Sequence, residues 1–184
     1  GGHGAHPHAS VDPVLVAGHL ITAVQSIVSR NVSPIDTAVV SLCAMHAGNP
    51  GAMSVIPAHA TLVGTVRTFL PATQDMIERR LGELVPQIAA AFGATARIDY
   101  RRVYPATVNH DREAAFAAEV AEALVGRDNV ARNLPPSMGS EDFSFMLQAK
   151  PGAFVRLGQG GAEGGCLLHN STYDFNDSVI PLGA

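Results

Sequence analysis

Tryptophan is absent from the 184 residues, aromatic side chains make up only 5%, and lysine occurs once, as Lys150. Twelve basic residues face sixteen acidic ones, for a net charge of -4. No basic stripe with interleaved aromatics is present to track a phosphate backbone, which excludes nucleic acid as a partner. No apolar run approaches the roughly 20 residues that a membrane-spanning helix needs, so the membrane is excluded too. Charged residues are scarce, at 15% against 47% hydrophobic, and this excludes a disordered chain. The two cysteines, Cys43 and Cys166, lie far apart in apolar or glycine-rich stretches. They read as two free buried thiols in a cytoplasmic protein rather than as a disulfide.

The length suits one ordinary domain or two small ones with a real core. The chain opens abruptly on Gly1-Gly2-His3-Gly4-Ala5-His6-Pro7-His8, with no Met and no signal-peptide pattern, and closes on Pro181-Leu182-Gly183-Ala184. Both ends lead us to expect a piece of a longer chain.

Asp12-Pro13 is a helix start, an Asp cap followed by Pro at the first helical position. Val14, Ala17, Ile21, Val24 and Val28 then recur at spacings of three and four, and Arg30-Asn31 closes the helix. Residues 37–45 are β-branched and apolar and predict a strand. Ala60 to Phe69 alternates as a second, with Arg67 on the face of Val63 and Thr65. Thr73 to Phe92 predicts a helix buried through Ile77, Leu81, Leu84, Ile88 and Phe92. Pro86 should kink it and Gly93 should end it. Residues 95–103 alternate again. With residues 1–6 as a first strand, the order is β-α-β-β-α-β, the ferredoxin-like arrangement of a four-stranded antiparallel sheet under two helices. It ends near Pro105 and makes residues 1–106 one domain.

Residues 107–184 have another texture. Asp111 should cap a helix that runs through Ala114, Phe116, Ala117, Val120, Ala121 and Leu124 to Gly126. A short helix should run from a Ser140 cap to Ala149, with a strand at 153–157 and a glycine-rich loop at 158–165. These elements are too few for a sheet domain of their own. They read as one edge of a larger α/β domain.

Several residues invite chemistry, each with a plainer alternative. His3, His6 and His8 form either a metal-binding cluster or a flexible terminal loop, and the glycines between them allow a close backbone approach. His169, at the end of a short buried strand, is either a metal ligand or a structural histidine. Asp174 or Asp177 either orients its second ring nitrogen or caps the next helix. Arg67, set among hydrophobic residues, needs an anion, from a neighbouring carboxylate or from a substrate. Glu141-Asp142 either complements a helix dipole or lies at the floor of a site. No G-x-S-x-G motif and no phosphate-loop spacing occur.

Six segments in order carry a resemblance. They are Gly1-Gly-His-Gly-Ala-His-Pro-His8, Asp12-Pro13, Val55-Ile56-Pro57, Gly64-Thr-Val-Arg-Thr-Phe69, Met138-Gly-Ser-Glu-Asp-Phe143 and Leu168-His169-Asn170 with Tyr173-Asp174-Phe175. Together they resemble the M20-type metallo-amidohydrolases, in the aminoacylase, hippurate hydrolase and indole-acetyl-amino-acid hydrolase branch. The resemblance implies that residues 1–106 are a lid or dimerisation domain and that residues 107–184 return to a split catalytic domain. It implies hydrolysis of N-acyl amino acids by a water that two divalent metals, zinc or manganese, activate. His169 matches the last metal ligand. His3 matches a lid histidine that stabilises the tetrahedral intermediate, commonly in the partner subunit of a homodimer. Arg67 matches an arginine that holds the substrate's carboxylate, and Ser54 and Glu141 stand at substrate-facing positions. Ser54 departs from the family's usual Asn. The Cys-x-His and Glu-Glu motifs that precede the lid in the family do not occur in this chain. A non-catalytic ferredoxin-like dimerisation or small-molecule-binding module is the alternative.

Overall fold

The structure is a computed structural model that describes residues 1–160 and 167–184. Two compact units make it up. One comprises Gly1–Ala106 with Pro135–Ser144, and the other Thr107–Leu134 with Phe145–Ala184.

The first unit opens with β1 (Gly2–His3), followed by α1 (Pro13–Ala23) and α2 (Gln25–Asn31). Asp12 caps α1 by accepting a hydrogen bond from the Val14 N–H at 2.8 Å. A single helix was expected across this stretch; instead the chain turns at Val24. Hydroxyls explain the break, because Thr22 donates to the His19 carbonyl and Ser26 to the Ala23 carbonyl, in competition with the backbone ladder. Then come β2 (Ala38–Ala47), β3 (Val55–Ile56), β4 (Ala60–Thr68) and α3 (Pro71–Ala91). Helix α3 begins at Pro71, two residues before the expected start, and carries Pro86 within its span. Gly93, at φ 72°, ends it as the sequence required.

Strands β2 and β4 pair antiparallel from Ala38 opposite Thr68 to Ala47 opposite Ala60. The register slips once, between Leu42 and Ala44, so that Cys43 is the extra residue of a bulge. Gly64 faces that bulge, and a Cβ there would overlap the Ser41 carbonyl oxygen. Only glycine fits. Cys43 is exposed, not buried as expected, because the bulge residue stands outside the ladder. Cys166 and the greater part of the glycine-rich loop lie outside the described residues.

One core cluster joins Val24, Ile27, Val40, Ile77 and Leu81, with Val66, Leu42 and Tyr100 packed against it. A second joins Val16, Leu20 and Ala89, with Leu62 and Ala96. The helices thus cover the Leu62 and Val66 face of β4. Arg67 lies on the other.

The expected four-stranded ferredoxin-like sheet is replaced by two separate pairs, β2 with β4 and β1 with β3. Residues 95–103 form no strand. Of the face expected to alternate, Ala96 and Tyr100 pack on the cores and Arg102 reaches Asp75 and Glu78 on α3, whereas Ile98 is exposed. Side-chain burial produced the pattern without a backbone ladder.

In the second unit, α4 (Asp111–Val125) starts after His110, so Asp111 is its first helical residue and not its cap. Asp111 and Glu113 still place negative charge in the first turn, where the helix dipole favours it. Gly126, at φ 86°, ends the helix. Helix α5 (Phe143–Ala149) begins three residues after Ser140, and α6 (Ile180–Gly183) lies near the chain end. Residues 153–157 form no strand. Asn109 occupies the partner's place, its amide donating to the Phe154 carbonyl at 3.0 Å and accepting from the Phe154 N–H at 2.7 Å. Among the described residues no helix is long and apolar enough to cross a membrane.

Candidate functional site

The glycine-histidine opening is fastened to the segment around Val55. His3 lies opposite Val55 and Gly2 opposite Ile56, and the Gly4 N–H donates to the Ser54 carbonyl at 2.7 Å. Glycine permits this fit, since a Cβ at Gly1 would stand 2.8 Å from the Ile56 oxygen and one at Gly2 2.7 Å from the Ser10 Cβ. His3 and Ser54, far apart in sequence, are therefore brought together. A turn follows, closed by the His6 N–H donating to the His3 carbonyl at 2.9 Å. Within it the Ala5 N–H donates to Nδ1 of His3 at 3.0 Å. The rings of His3, His6 and His8 succeed one another at centroid distances of 5.4 and 6.1 Å.

Arg67 is half-buried on β4, opposite Val39, and its guanidinium donates to the Val66 carbonyl at 3.0 Å. No carboxylate among the described residues lies within ion-pair distance of it. Arg80 is also half-buried, but it has Glu83. The other arginines without a carboxylate, Arg30, Arg97, Arg127 and Arg156, are exposed. Arg67 is thus the one half-buried, unneutralised guanidinium among the described residues. Among the described residues, therefore, no neighbouring carboxylate supplies the ion pair that the sequence alone left open. A partly desolvated cation of this kind favours an anion from outside the chain.

Glu141 is half-buried, and its carbonyl accepts from the N–H and hydroxyl of the fully buried Ser144. That contact fixes the backbone of residues 141–144 at the start of α5. The Glu141 carboxylate has no hydrogen-bond or ion-pair partner among the described residues.

His169 belongs to the second unit. It was expected at the end of a buried strand, but Leu167 and Leu168 are exposed and the chain turns there. Asn170 builds the turn by accepting from the Thr172 N–H and hydroxyl at 3.0 and 2.9 Å. Neither Asp174 nor Asp177 bonds the His169 ring among the described residues. Instead Asn176 caps the turn that Asp177 opens. His169 itself has φ 68°, the one positive value at a non-glycine position among the described residues. Holding a side chain there costs about 1–2 kcal/mol, and such outliers cluster where function fixes a residue.

A metal site is a different matter. No group of three His, Cys, Asp or Glu side chains among the described residues can hold an ion. One imidazole falls short of the three protein ligands that a catalytic zinc site needs. The described residues therefore do not by themselves make a metal centre, and His3, His6 and His8 do not supply one.

Two histidines escaped the sequence reading. His46 on β2 and His59 just before β4 line a cavity of about 310 Å³ with Asn49, Ala52, Val55 and Pro57. Val55 also pairs with His3, so the cavity adjoins the clasp. No motif marks these histidines. Only the pairing of His46 with Thr61 and of Ala47 with Ala60 shows them to be neighbours.

The family model for Peptidase family M20/M25/M40 matches residues 4–184. The chain belongs to peptidase family M20/M25/M40. A hippurate hydrolase of Campylobacter jejuni is 40% identical to this M20 chain over 184 residues, which is all of the chain and 47% of the relative. An N-acetylcysteine deacetylase of Bacillus subtilis is 37% identical over all of the chain and 46% of that protein. A crystal structure from Bacillus subtilis, described as a dinuclear metal binding peptidase from the M20 family, superposes with a TM-score of 0.65 at 28% identity. The match covers 95% of the M20 chain and 44% of that structure. The M20 chain thus spans about half the length of the curated relatives it matches.

Proposed function

We propose that the full-length protein containing this M20 chain is a cytoplasmic hydrolase of the amide bond in N-acyl amino acids, hippurate-like substrates among them. Arg67 carries the proposal. A half-buried guanidinium with no internal anion is suited to a substrate carboxylate, which an N-acyl amino acid retains after its amine is blocked. His3, beside Ser54, donates a hydrogen bond to the carbonyl oxygen as negative charge gathers there in the tetrahedral intermediate. Ser54 and Glu141 complete the substrate contacts. The family likeness supports a divalent metal centre, zinc or manganese, with His169 as one ligand and the others outside the described residues.

Residues 1–106 act in this reading as a lid and as the contact of a homodimer, and residues 107–184 as part of a split catalytic domain. Among the described residues, strands β2 and β4 pair only with each other, which leaves their outer edges as templates for pairing. A second reading, a non-catalytic module, applies to the 184-residue chain by itself and is favoured by its lone matched metal ligand.

The test is kinetic. In the full-length enzyme His3→Ala should lower kcat about 100-fold, the worth of one oxyanion donor, with little change in KM. Arg67→Ala should mainly raise KM, because its anion is charged before reaction begins. Equal losses with uncharged and carboxylate-bearing amides would overturn the assignment of Arg67. Metal-dependent turnover by the pure 184-residue chain would overturn the split of the catalytic machinery.

A further inference from the structure

We infer that the backbone N–H of Ala5 locks His3 in a single tautomer, with the proton on Nε2, and so makes its outer ring nitrogen an obligate hydrogen-bond donor. This rests on the reading of His3 as the oxyanion donor and adds the device that sets its polarity. Nδ1 accepts the Ala5 N–H at 3.0 Å. An imidazolium carries hydrogen on both nitrogens and has no lone pair to offer there, and the Nδ1–H tautomer would set two hydrogens against each other. Only the neutral Nε2–H ring satisfies the contact. In that form Nε2 has no lone pair, so it neither ligates a metal nor accepts a proton; it can only donate. The device is built from backbone. The Gly4 N–H to the Ser54 carbonyl and the His6 N–H to the His3 carbonyl hold the turn on either side of Ala5. Any residue but proline can therefore stand at position 5. Ala5 is a positioning residue, acting through His3.

The ring is exposed, and among the described residues its one hydrogen bond is at Nδ1. Nε2 is thus free to meet a ligand, and a donor that needs no tautomer change when charge develops costs no reorganisation.

The experiment is nitrogen NMR on the 184-residue chain with 15N-labelled histidine at mildly alkaline pH, with a short His-containing peptide as the unrestrained reference. The expected His3 signals are those of a pure Nε2–H ring, and Ala5→Pro should return them to the peptide average while the other histidines stay in place. An averaged or Nδ1–H pattern in the wild-type chain would overturn the lock. In the full-length enzyme His3→Gln, whose amide nitrogen can stand where Nε2 stands, should retain about tenfold more kcat than His3→Asn, a share of the roughly 100-fold worth of one such donor. Asn as good as Gln would again count against the lock. A locked ring in a protein whose kcat ignores His3→Ala would instead remove the oxyanion role and leave the tautomer assignment standing.

Discussion

The two units of the M20 chain differ in what they cover. In the first, Val16, Leu20, Val24, Ile27, Val40, Ile77, Leu81 and Ala89 are buried in two clusters that helices and the β2–β4 pair close between them. In the second, Leu147 is the one buried apolar side chain among the described residues, and α4 buries nothing. Phe116, Val120 and Leu124, spaced at i, i+4 and i+8, form an apolar stripe that is exposed along the whole of α4. Amphipathic patterns were expected on α1, α3 and α4: α3 buries Ile77 and Leu81 but leaves Phe92 exposed, α1 buries Val16, Ala17 and Leu20 while the expected Val14 is exposed, and α4 buries none of its stripe. A hydrophobic face specifies that something must cover it, not which segment does so.

The sharpest way to break this contrast is to hollow the first unit. Ile77→Ala, at a fully buried site, should cost about 2–5 kcal/mol in urea unfolding of the 184-residue chain. A value near zero would mean that the first unit holds no real core. Gly64→Ala should come next, at about 1–3 kcal/mol, because the new methyl has nowhere to go opposite the Cys43 bulge. Loss of the β2–β4 register in the variant's NMR spectrum would accompany it.

A smaller effect is pH-dependent. Burial, helped by the Glu78 carboxylate, pushes the Tyr100 phenol above its ordinary value. A raised folded value means that this contribution to stability is complete below the ordinary tyrosine range of about 10, and is lost as pH climbs through the folded value. Alkaline titration should show a late phenol that disappears in Tyr100→Phe. The smallest effect belongs to the second unit. Leu124→Ala should change the stability of the 184-residue chain by no more than about 0.5 kcal/mol. The same substitution in the longer protein, should it cost several times more, would identify the stripe as covered there.

Legibility in the sequence followed the range of the forces involved. Helix limits were readable where a local cap set them, as at Asp12, Gly93 and Gly126. The break at Val24 was not, because it arises from hydroxyls that compete with backbone N–H groups for carbonyls one turn away. Strands β2 and β4 were readable from their composition, but alternation at 95–103 reported burial and said nothing of a ladder partner. At the site, the clasp of His3 on Ser54 depends on a pairing that no spacing encodes. Arg67 was visible as an oddity, but only the structure shows that no carboxylate among the described residues pairs with it. His169 was found through its motif, yet its exposed turn and left-handed backbone contradict the buried strand inferred from two leucines.

The clasp between β1 and β3 has a kinetic meaning. Residues 4 and 54 are tied by a two-residue ladder and one flanking bond, while the chain between them carries much of the first core. Closing so long a loop for so few bonds places this joint among the last to form and the first to open. His3 therefore rides on a latch that can lift while the rest of the unit stays folded. Amide exchange at Gly4 should outpace exchange within β2 and β4, and the ratio of opening to closing sets the fraction of time that His3 is away from Val55.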